Sequence, residues 1–228
     1  MAQDIPNISQ NNVGDKSLAA RIPQAKGYRC TVCNDVIGLD EARYICSACG
    51  QVGTLDVVLD TSVIWPGRQN PQQPKANVWE EERFLPIAQD MPPPAQTIPL
   101  QVGGTPYYPS NERHPYAIID DGKNPTGSFK DRASAMVVHQ ALTIGAPVVA
   151  TASTGNAAAA LAGICAAVGS IQAVIFVPAS APQAKIAQLL VYGAEVILVD
   201  GPYDDAFDLC WEACARYGWY NRSTGINP

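Results

Sequence analysis

One lysine in this sequence stands where its amine could take part in carbonyl chemistry. Lys130 belongs to residues 124–132, which follow a short apolar run and precede an alanine-rich stretch of helical character. The start of this segment, Asn-Pro-Thr-Gly, disfavours helix, and Ser128 can then accept hydrogen bonds from the first free amides of a helix. Lys130 is therefore predicted in a first helical turn. A cation is unfavourable at that positive end, so a neutral, nucleophilic amine becomes more available there.

A second turn with reactive side chains follows the next predicted strand. Residues 151–156 read Thr-Ala-Ser-Thr-Gly-Asn and lie between the apolar run 148–150 and another alanine-rich helix. Hydroxyl groups and free amides at a helix N-terminus form a binding site for anions. Taken alone, Lys130 has an equally good interpretation as a surface lysine paired with Asp131. The second turn shifts the balance toward a functional site.

Four of the seven cysteines form two pairs with the spacing of a metal site. Cys30 and Cys33 are separated by twelve residues from Cys46 and Cys49, and each pair encloses two residues. This doubled spacing is typical of a zinc ribbon, in which four thiolates complete a tetrahedron and leave no open position, so the zinc would be structural. Gly50 is expected to need a positive φ. A redox pair or free thiols are the alternative.

Composition and charge exclude several classes of protein. The chain has 228 residues, of which 47% are apolar and 16% charged, as expected for a globular protein with a large domain and a small module. Its net charge of -6 and pI near 4.8 argue against a nucleic-acid partner. No apolar run reaches the roughly 20 residues that span a bilayer, and the N-terminus lacks the apolar core of a secretory signal. We therefore expect a cytoplasmic protein without a membrane partner.

From residue 116 onward, apolar runs alternate with helical patterns. The predicted strands are 116–119, 147–150, 172–177 and 195–199, and the predicted helices are about 129–145, 156–168, 181–193 and 203–217. This alternation predicts an α/β fold, with a parallel sheet flanked by helices on both faces. Ligands bind beyond the carboxyl ends of such strands, and we expect both turns to lie at such ends. The remaining cysteines, Cys165, Cys210 and Cys214, are expected to pack as small hydrophobes.

The patterns divide the chain into four parts. We predict a disordered arm over residues 1–26, the zinc ribbon over 27–60, a proline-rich linker over 61–77 and an α/β catalytic domain over 78–228. Residues 78–85 are expected to form a short amphipathic helix, since the prolines that follow prevent a longer one. Lys185, in the helix predicted at 181–193, is interpreted as a solvated surface residue.

The two turns, taken in order with the Gly-Gly-Thr-Pro loop at 103–106 and the ribbon, resemble the fold type II pyridoxal-phosphate enzymes, and among these the threonine synthases. The resemblance implies that Lys130 is catalytic and binds pyridoxal 5'-phosphate as a Schiff base, while Asn156 hydrogen-bonds the 3'-oxygen of the cofactor. It assigns the substrate carboxylate to Ser153, Thr154 and Gly155. The implied reaction converts O-phospho-L-homoserine and water to L-threonine and phosphate, with the freed amine as general base.

Two departures from the family pattern bear on this implied function. Ala157 stands where many threonine synthases have threonine, so a contact to the leaving phosphate is missing. Family members also continue with a glycine-rich phosphate cradle beyond the position of Pro228. We therefore expect a truncated polypeptide or half of a split enzyme completed by a second polypeptide. The alternatives are another fold type II lyase, such as a threonine dehydratase or a cysteine synthase relative, and a non-catalytic zinc-ribbon interaction protein retaining half the fold.

Overall fold

The computed structural model of the chain describes residues 25–38, 44–60, 77–79, 85, 94–223 and 225–227. The predicted arm at 1–26 and linker at 61–77 lie almost entirely outside the described residues, as does most of the helix predicted at 78–85. No helix in the described part is long and apolar enough to cross a membrane.

A small antiparallel sheet carries the paired cysteines. Its middle strand is β1 (Ala25–Cys30), which pairs with β2 (Val36–Ile37) on one side and with β3 (Leu55–Leu59) on the other. Its buried apolar cluster is formed by Cys30, Cys46 and Leu55. Modules with so small a core usually need a metal or disulfides to fold. Two of the three residues in this small core are thus cysteines.

The apolar run at 116–119 does not join the parallel sheet, so this prediction was wrong. Within the described residues, β5 (Ile118–Ile119) pairs only with β4 (Tyr107–Tyr108), antiparallel, and all four residues are exposed. The ladder stops at Asp120, whose side chain accepts a hydrogen bond from Gly122 N and caps a short 3-10 helix, Asp121–Lys123. A four-residue apolar run does not by itself distinguish a buried strand from an exposed ribbon.

A four-stranded parallel sheet forms the centre of the remaining chain. Its order is β8-β7-β6-β9, with β6 at Val148–Ala152, β7 at Gln172–Pro178, β8 at Glu195–Val199 and β9 at Tyr220–Asn221. The three predicted strands at 147–150, 172–177 and 195–199 are confirmed to within two residues. The two-residue strand β9 was not predicted, because two residues carry no periodic signal.

The helices follow the predicted alternation. They are α1 (Pro94–Thr97), α2 (Lys130–Thr143), α3 (Asn156–Val168), α4 (Gln183–Val191) and α5 (Tyr203–Tyr217). The bounds of α3 and α5 agree with the prediction at both ends, while α2 and α4 are shorter than predicted. Lys185 is exposed on α4, as predicted.

Both faces of the parallel sheet are covered by helices, as the alternation predicts. Along β7, Ala173, Ile175 and Val177 pack in one cluster with residues of α2, α3 and α4. Val174 and Phe176 point to the opposite cluster, which α5 completes. This strict alternation is the period-2 geometry of a strand buried on both faces. The cysteines Cys165, Cys210 and Cys214 are buried in these clusters, which confirms their prediction as small hydrophobes.

Trp79 attaches the segment before the domain to the core. The amide of Val78 donates to the carbonyl of Val102 at 2.6 Å, and Trp79 is 6% exposed. The Trp79 ring lies 6.1 Å from that of His139 in α2, where burial lowers the pKa of His139. Residues 77–79 are thus fixed against α2 and the loop that begins at Leu100.

Candidate functional site

The predicted helix start at Lys130 is confirmed. The amide of Lys130 donates to Ser128 Oγ at 3.3 Å, and the amide of Asp131 donates to the Ser128 carbonyl at 3.3 Å. The Lys130 side chain is half-buried, and its Nζ lies 4.8 Å from the centre of the Phe129 ring. Contact with an aromatic face helps to orient the side chain. The amine therefore lies in the first helical turn, over an exposed aromatic ring.

Asp131 fixes the turn before the helix instead of serving as a surface partner of Lys130. Its carboxylate is fully buried and accepts hydrogen bonds from the amide of Thr126, at 2.7 Å, and from the Thr126 hydroxyl. A buried carboxylate is costly unless it is hydrogen-bonded, so these two bonds favour one conformation of the turn. The carbonyl of Asn124 closes the turn by accepting from the Gly127 amide at 2.9 Å.

A second carboxylate ties the lysine turn to the Gly-Gly-Thr-Pro loop. Arg132 Nε and Nη2 each donate to Asp121 at 2.8 Å, a bidentate pair. Thr105 Oγ1 donates to the same carboxylate at 2.6 Å, and Asn124 Oδ1 accepts from the Gly103 amide at 2.8 Å. The hydrogen bond from Arg132 lowers the pKa of Asp121 to about 2. Charge-assisted bidentate bonds of this kind are stronger than neutral hydrogen bonds.

The sequence reasoning missed the residues of this network. Asn124 and Arg132 lie inside the motif that was singled out, but only Lys130 received a role there. Asp121 precedes that motif and has the sequence signal of an ordinary turn residue. Its pairing with Thr105 and Arg132 joins residues far apart in sequence, and residue spacing alone does not predict such contacts.

The Ser-Thr-Gly-Asn turn lies at the carboxyl end of β6, as predicted. The Ser153 amide donates to the Phe176 carbonyl of β7 at 3.2 Å, and Ser153 Oγ accepts from the Gly155 amide at 3.3 Å. Helix α3 begins at Asn156, which is exposed, and no side chain caps its first turn. The first amides of α3 are thus available to an anion.

The lysine turn, in contrast, does not lie at a carboxyl end of the parallel sheet, so this prediction was wrong. The strand before it, β5, belongs to the exposed ribbon with β4. The turn is positioned instead by the hydrogen bonds of Asp121 and Asp131 and by the packing of α2 beside α3. The site therefore combines one turn of the parallel sheet with one turn outside it.

A glycine in α3 allows the lysine turn to approach that helix closely. A Cβ on Gly163 would lie 2.6 Å from Cγ2 of Thr126, which is the residue that binds Asp131. The two predicted turns are thereby fixed relative to one another through α3. Beside Gly127 and Gly155, an added Cβ would meet no atom within 4 Å, so both turns border open space.

A buried arginine extends from β9 to the helix of Lys130. Arg222 is 3% exposed, and its Nε and Nη2 each donate to Ser134 Oγ at 3.4 Å. Ser134 lies one helical turn after Lys130 in α2. Burial lowers the pKa of the Arg222 guanidinium. The sequence analysis gave Arg222 no role, because the strand before it was too short to predict.

The four paired cysteines come together in one cluster, as their spacing predicts. The Sγ atoms of Cys30, Cys33, Cys46 and Cys49 all lie within 4.8 Å of one another, and those of Cys33 and Cys46 are 3.8 Å apart. Zinc–sulfur bonds of about 2.3 Å in a tetrahedron place the sulfurs about 3.8 Å apart. The amides of Cys33 and Val32 lower the pKa of Cys30 to about 7. Donor set and spacing therefore fit a zinc ion.

Two glycines suit the backbone geometry around the cluster, and one of them leaves no room for a side chain. Gly50 has a φ of +64°, as predicted, and Asn34 takes the equivalent position after the first pair with a φ of 61°. A Cβ on Gly53 would lie 2.6 Å from the Cβ of Cys49 and 2.8 Å from that of Cys46. The sequence reasoning did not identify Gly53, since its neighbours are brought to it by the fold.

Comparisons with known proteins identify the family of the chain. Residues 98–228 match the family model described as "Pyridoxal-phosphate dependent enzyme". The chain is 35% identical to the threonine synthase of Methanosarcina acetivorans over 207 residues. This alignment covers 88% of this chain and 49% of that protein. The threonine synthase of Methanocaldococcus jannaschii is 34% identical over 189 residues, covering 79% of this chain and 45% of that protein.

The match to these relatives is partial in length. The chain spans about half the length of the curated relatives it matches. Among solved structures, that of O-ureido-L-serine synthase aligns with 60% of this chain and 44% of its own at 23% identity, with a TM-score of 0.48. That score is too low to support an argument about function.

We predict that Gly163→Ala destabilises the protein, although alanine favours helix. Helix propensity alone would make the change stabilising by about 0.5–1 kcal/mol. The added Cβ would instead displace Thr126, and we expect a loss of about 1–3 kcal/mol in the free energy of unfolding. Urea unfolding measures this, with Ala167→Gly at an exposed position of α3 as the propensity control. Equal or higher stability of Gly163→Ala would contradict the close contact.

We also predict an acid-dependent contribution from Asp121. Its folded pKa of about 2 lies below the ordinary value of 3.8, so its stabilisation is present above about pH 4 and is lost as the pH falls through about 2. The stability difference between wild type and Asp121→Asn should shrink by about 1 kcal/mol between about pH 5 and pH 2, because water screens part of the interaction of this partly exposed pair. Denaturant unfolding at each pH measures it.

The matched control for Asp121 removes its partner. In an Arg132→Met background, the pKa of Asp121 loses its main cause of depression. Asp121→Asn should then leave the pH profile of stability nearly unchanged. Parallel profiles for wild type and Asp121→Asn in the original background would contradict the ion pair.

Proposed function

The chain belongs to the pyridoxal-phosphate dependent enzyme family, and from this we propose that the protein is a threonine synthase-like lyase. Its reaction would convert O-phospho-L-homoserine and water to L-threonine and phosphate. The observation that carries the proposal is the placement of the Lys130 amine at the start of α2, in a turn packed against the helix that presents the Ser-Thr-Gly-Asn turn. The threonine synthases among its relatives support this substrate over others.

The residues present fit the aldehyde and ring-oxygen contacts of pyridoxal 5'-phosphate. Lys130 offers an amine for the aldehyde, and Asn156 offers an exposed amide side chain for the 3'-oxygen. Gly127 and Gly155 have no side chain, and an added Cβ at either would meet no atom within 4 Å, so neither turn blocks the approach of a cofactor. When bound, the cofactor supplies an electron sink that makes the substrate's carbon protons acidic.

The chain's own groups would bind the substrate and move its protons. The hydroxyls of Ser153 and Thr154 and the uncapped start of α3 would hold the substrate carboxylate, joined by the Gly155 amide once it turns from Ser153 Oγ. Lys130 Nζ, once free, would accept and return protons as a general base. The bonds of Asp121 and Asp131 would keep that amine in place, because a base must remain within reach of the proton it moves.

Ala157 is the departure from the family pattern that bears on the substrate, since the resemblance implies threonine here in many threonine synthases and histidine in related dehydratases. It occupies the first turn of α3 and is partly buried, with a methyl group where a polar side chain would bind a leaving phosphate. Another fold type II lyase, a threonine dehydratase or a cysteine synthase relative, does not need that contact. The three activities differ in substrate, so assays with O-phospho-L-homoserine, threonine and a cysteine precursor separate them.

We further propose that Cys30, Cys33, Cys46 and Cys49 hold one structural zinc ion. Four thiolates would fill its coordination sphere, so the metal would stabilise the small sheet and take no part in the reaction. The division into arm, ribbon, linker and catalytic domain belongs to the same proposal. So do a cytoplasmic location and a small amino-acid substrate.

Substitution of Lys130 tests the proposed reaction. In the full natural polypeptide that carries this sequence, Lys130→Ala should abolish phosphate release from O-phospho-L-homoserine, because no amine remains to bind the cofactor or move the protons. A loss of at least about a thousandfold is expected for a residue with both roles. Lys185→Ala, at an exposed position of α4, is the matched control and should keep full activity. Activity that survives in Lys130→Ala would contradict the assignment.

Metal analysis tests the proposed zinc site. Reduced, purified protein should contain one zinc ion per chain, and Cys33→Ser should lose most of it because a hydroxyl is a poor zinc ligand. Cys165→Ala removes a thiol buried in α3 and should keep its zinc. Wild-type protein without zinc, or equal zinc in both variants, would exclude the four-cysteine site.

A further inference from the structure

The cysteine-bearing sheet contacts the parallel sheet at β9, through Tyr44. The Tyr44 hydroxyl accepts a hydrogen bond from the Asn221 amide at 3.1 Å, and the rings of Tyr44 and Tyr220 lie 5.7 Å apart. The next amide, that of Arg222, donates to Ala150 of β6 at 2.8 Å, so the Asn221 amide points away from the sheet. β9 is an edge strand of the described parallel sheet, and Tyr44 accepts a hydrogen bond from one of its outward-facing amides.

Strand β9 has a short backbone ladder, and the rest of its support comes from the burial of Asn221 and Arg222 and from the contact with Tyr44. Its ladder with β6 consists of two residue pairs, Val149 with Tyr220 and Ala150 with Asn221. The outward carbonyl of Asn221 accepts from Asn227 Nδ2 at 2.6 Å. One hydrogen bond shifts an equilibrium roughly two- to tenfold, so the bond from the Asn221 amide to Tyr44 is a measurable part of what orders this short strand.

The position of Tyr44 is set by the cysteine cluster. Tyr44 lies two residues before Cys46, whose amide donates to the Gly53 carbonyl at 2.8 Å. Ile45, which lies between Tyr44 and Cys46, forms an antiparallel β-bridge with Thr54, the residue before β3. In small metal modules, ion binding and folding are one event, so loss of the ion would release this backbone. The Tyr44 hydroxyl would then lose its fixed position.

From β9 the contacts continue to the helix of Lys130. Arg222 directly follows β9 and donates to Ser134 Oγ, one turn after Lys130. Because Arg222 is buried, it follows a displacement of β9 only by moving its guanidinium away from Ser134 or by shifting α2. A continuous set of contacts thus leads from the cysteine cluster to the proposed catalytic lysine.

We propose that Tyr44 is a positioning residue that couples the metal-bound cysteine cluster to β9 and, through Arg222, to the start of α2. Loss of the metal would loosen β9 and the first turn of α2 while leaving the centre of the parallel sheet folded. The coupling rests on the proposed zinc site. It does not depend on the proposed reaction, since it concerns the order of the backbone.

Amide hydrogen exchange on the full natural polypeptide tests this coupling without substrate or cofactor. The measured segments are β9, the first turn of α2 and, as an internal reference, β7. Wild type and Tyr44→Phe are each compared with zinc and after chelation. Tyr44→Phe keeps the ring and removes only the hydroxyl. Tyr116→Phe removes the hydroxyl of a tyrosine that is 77% exposed and serves as the matched control.

We expect Tyr44→Phe to speed exchange in β9 roughly two- to tenfold, the effect of losing one hydrogen bond. Chelation should speed it at least as much in wild type and add much less in Tyr44→Phe, because both changes remove the same contact. Exchange at the start of α2 should follow the same order, and Tyr116→Phe should match wild type.

Three results would overturn the proposal. The first is an exchange rate in β9 of the wild type that does not change on chelation. Another is independent, additive effects of chelation and Tyr44→Phe. The third is faster exchange in β7 together with β9 in Tyr44→Phe, which would make Tyr44 a residue of general stability. If the protein binds zinc and shows the coupling but lacks synthase activity, the proposed reaction fails and the coupling stands.

Discussion

The bidentate ion pair between Arg132 and Asp121 connects three segments whose arrangement positions Lys130. Arg132 belongs to the first turn of α2, Asp121 to the 3-10 helix before the lysine motif, and Thr105, which shares the carboxylate, to the Gly-Gly-Thr-Pro loop. The two charged side chains are 35% and 23% exposed, so water screens them less than a surface pair. Lys130 lies two residues before Arg132, so the ion pair helps to fix the position of the Lys130 amine.

A second principle runs through both parts of the structure, namely that close backbone approach is achieved by omitting a side chain. Gly163 admits Thr126 against α3, and Gly53 admits the two cysteines of the second pair. In each case the glycine meets a side chain that the fold brings to it, namely Thr126 of the lysine turn or a cysteine of the cluster. Preorganisation of this kind places the reacting group before substrate arrives, which lowers the entropic part of a reaction barrier. It also explains why the lysine turn needs no strand of the parallel sheet behind it.

Local sequence signals predicted much of this structure, and long-range contacts account for the rest. The bounds of α3, β8 and α5 and the clustering of the four cysteines followed from apolar periodicity and ligand spacing, which are local properties. The run at 116–119 was misassigned because four apolar residues do not reveal which neighbour they pair with. Asp121, Arg222 and Tyr44 were missed for the same reason, since each acts on a residue distant in sequence.

The identity of the lysine that binds the cofactor is the point on which the proposed function depends most. Incubation of the full natural polypeptide with pyridoxal 5'-phosphate, followed by borohydride reduction, fixes the cofactor to the lysine that holds it. Peptide mass spectrometry then locates the added mass. The geometry of the lysine turn predicts a single modification at Lys130. Modification centred on Lys123 or Lys185, or spread evenly over the exposed lysines, would contradict the assignment of Lys130 and with it the proposed active site.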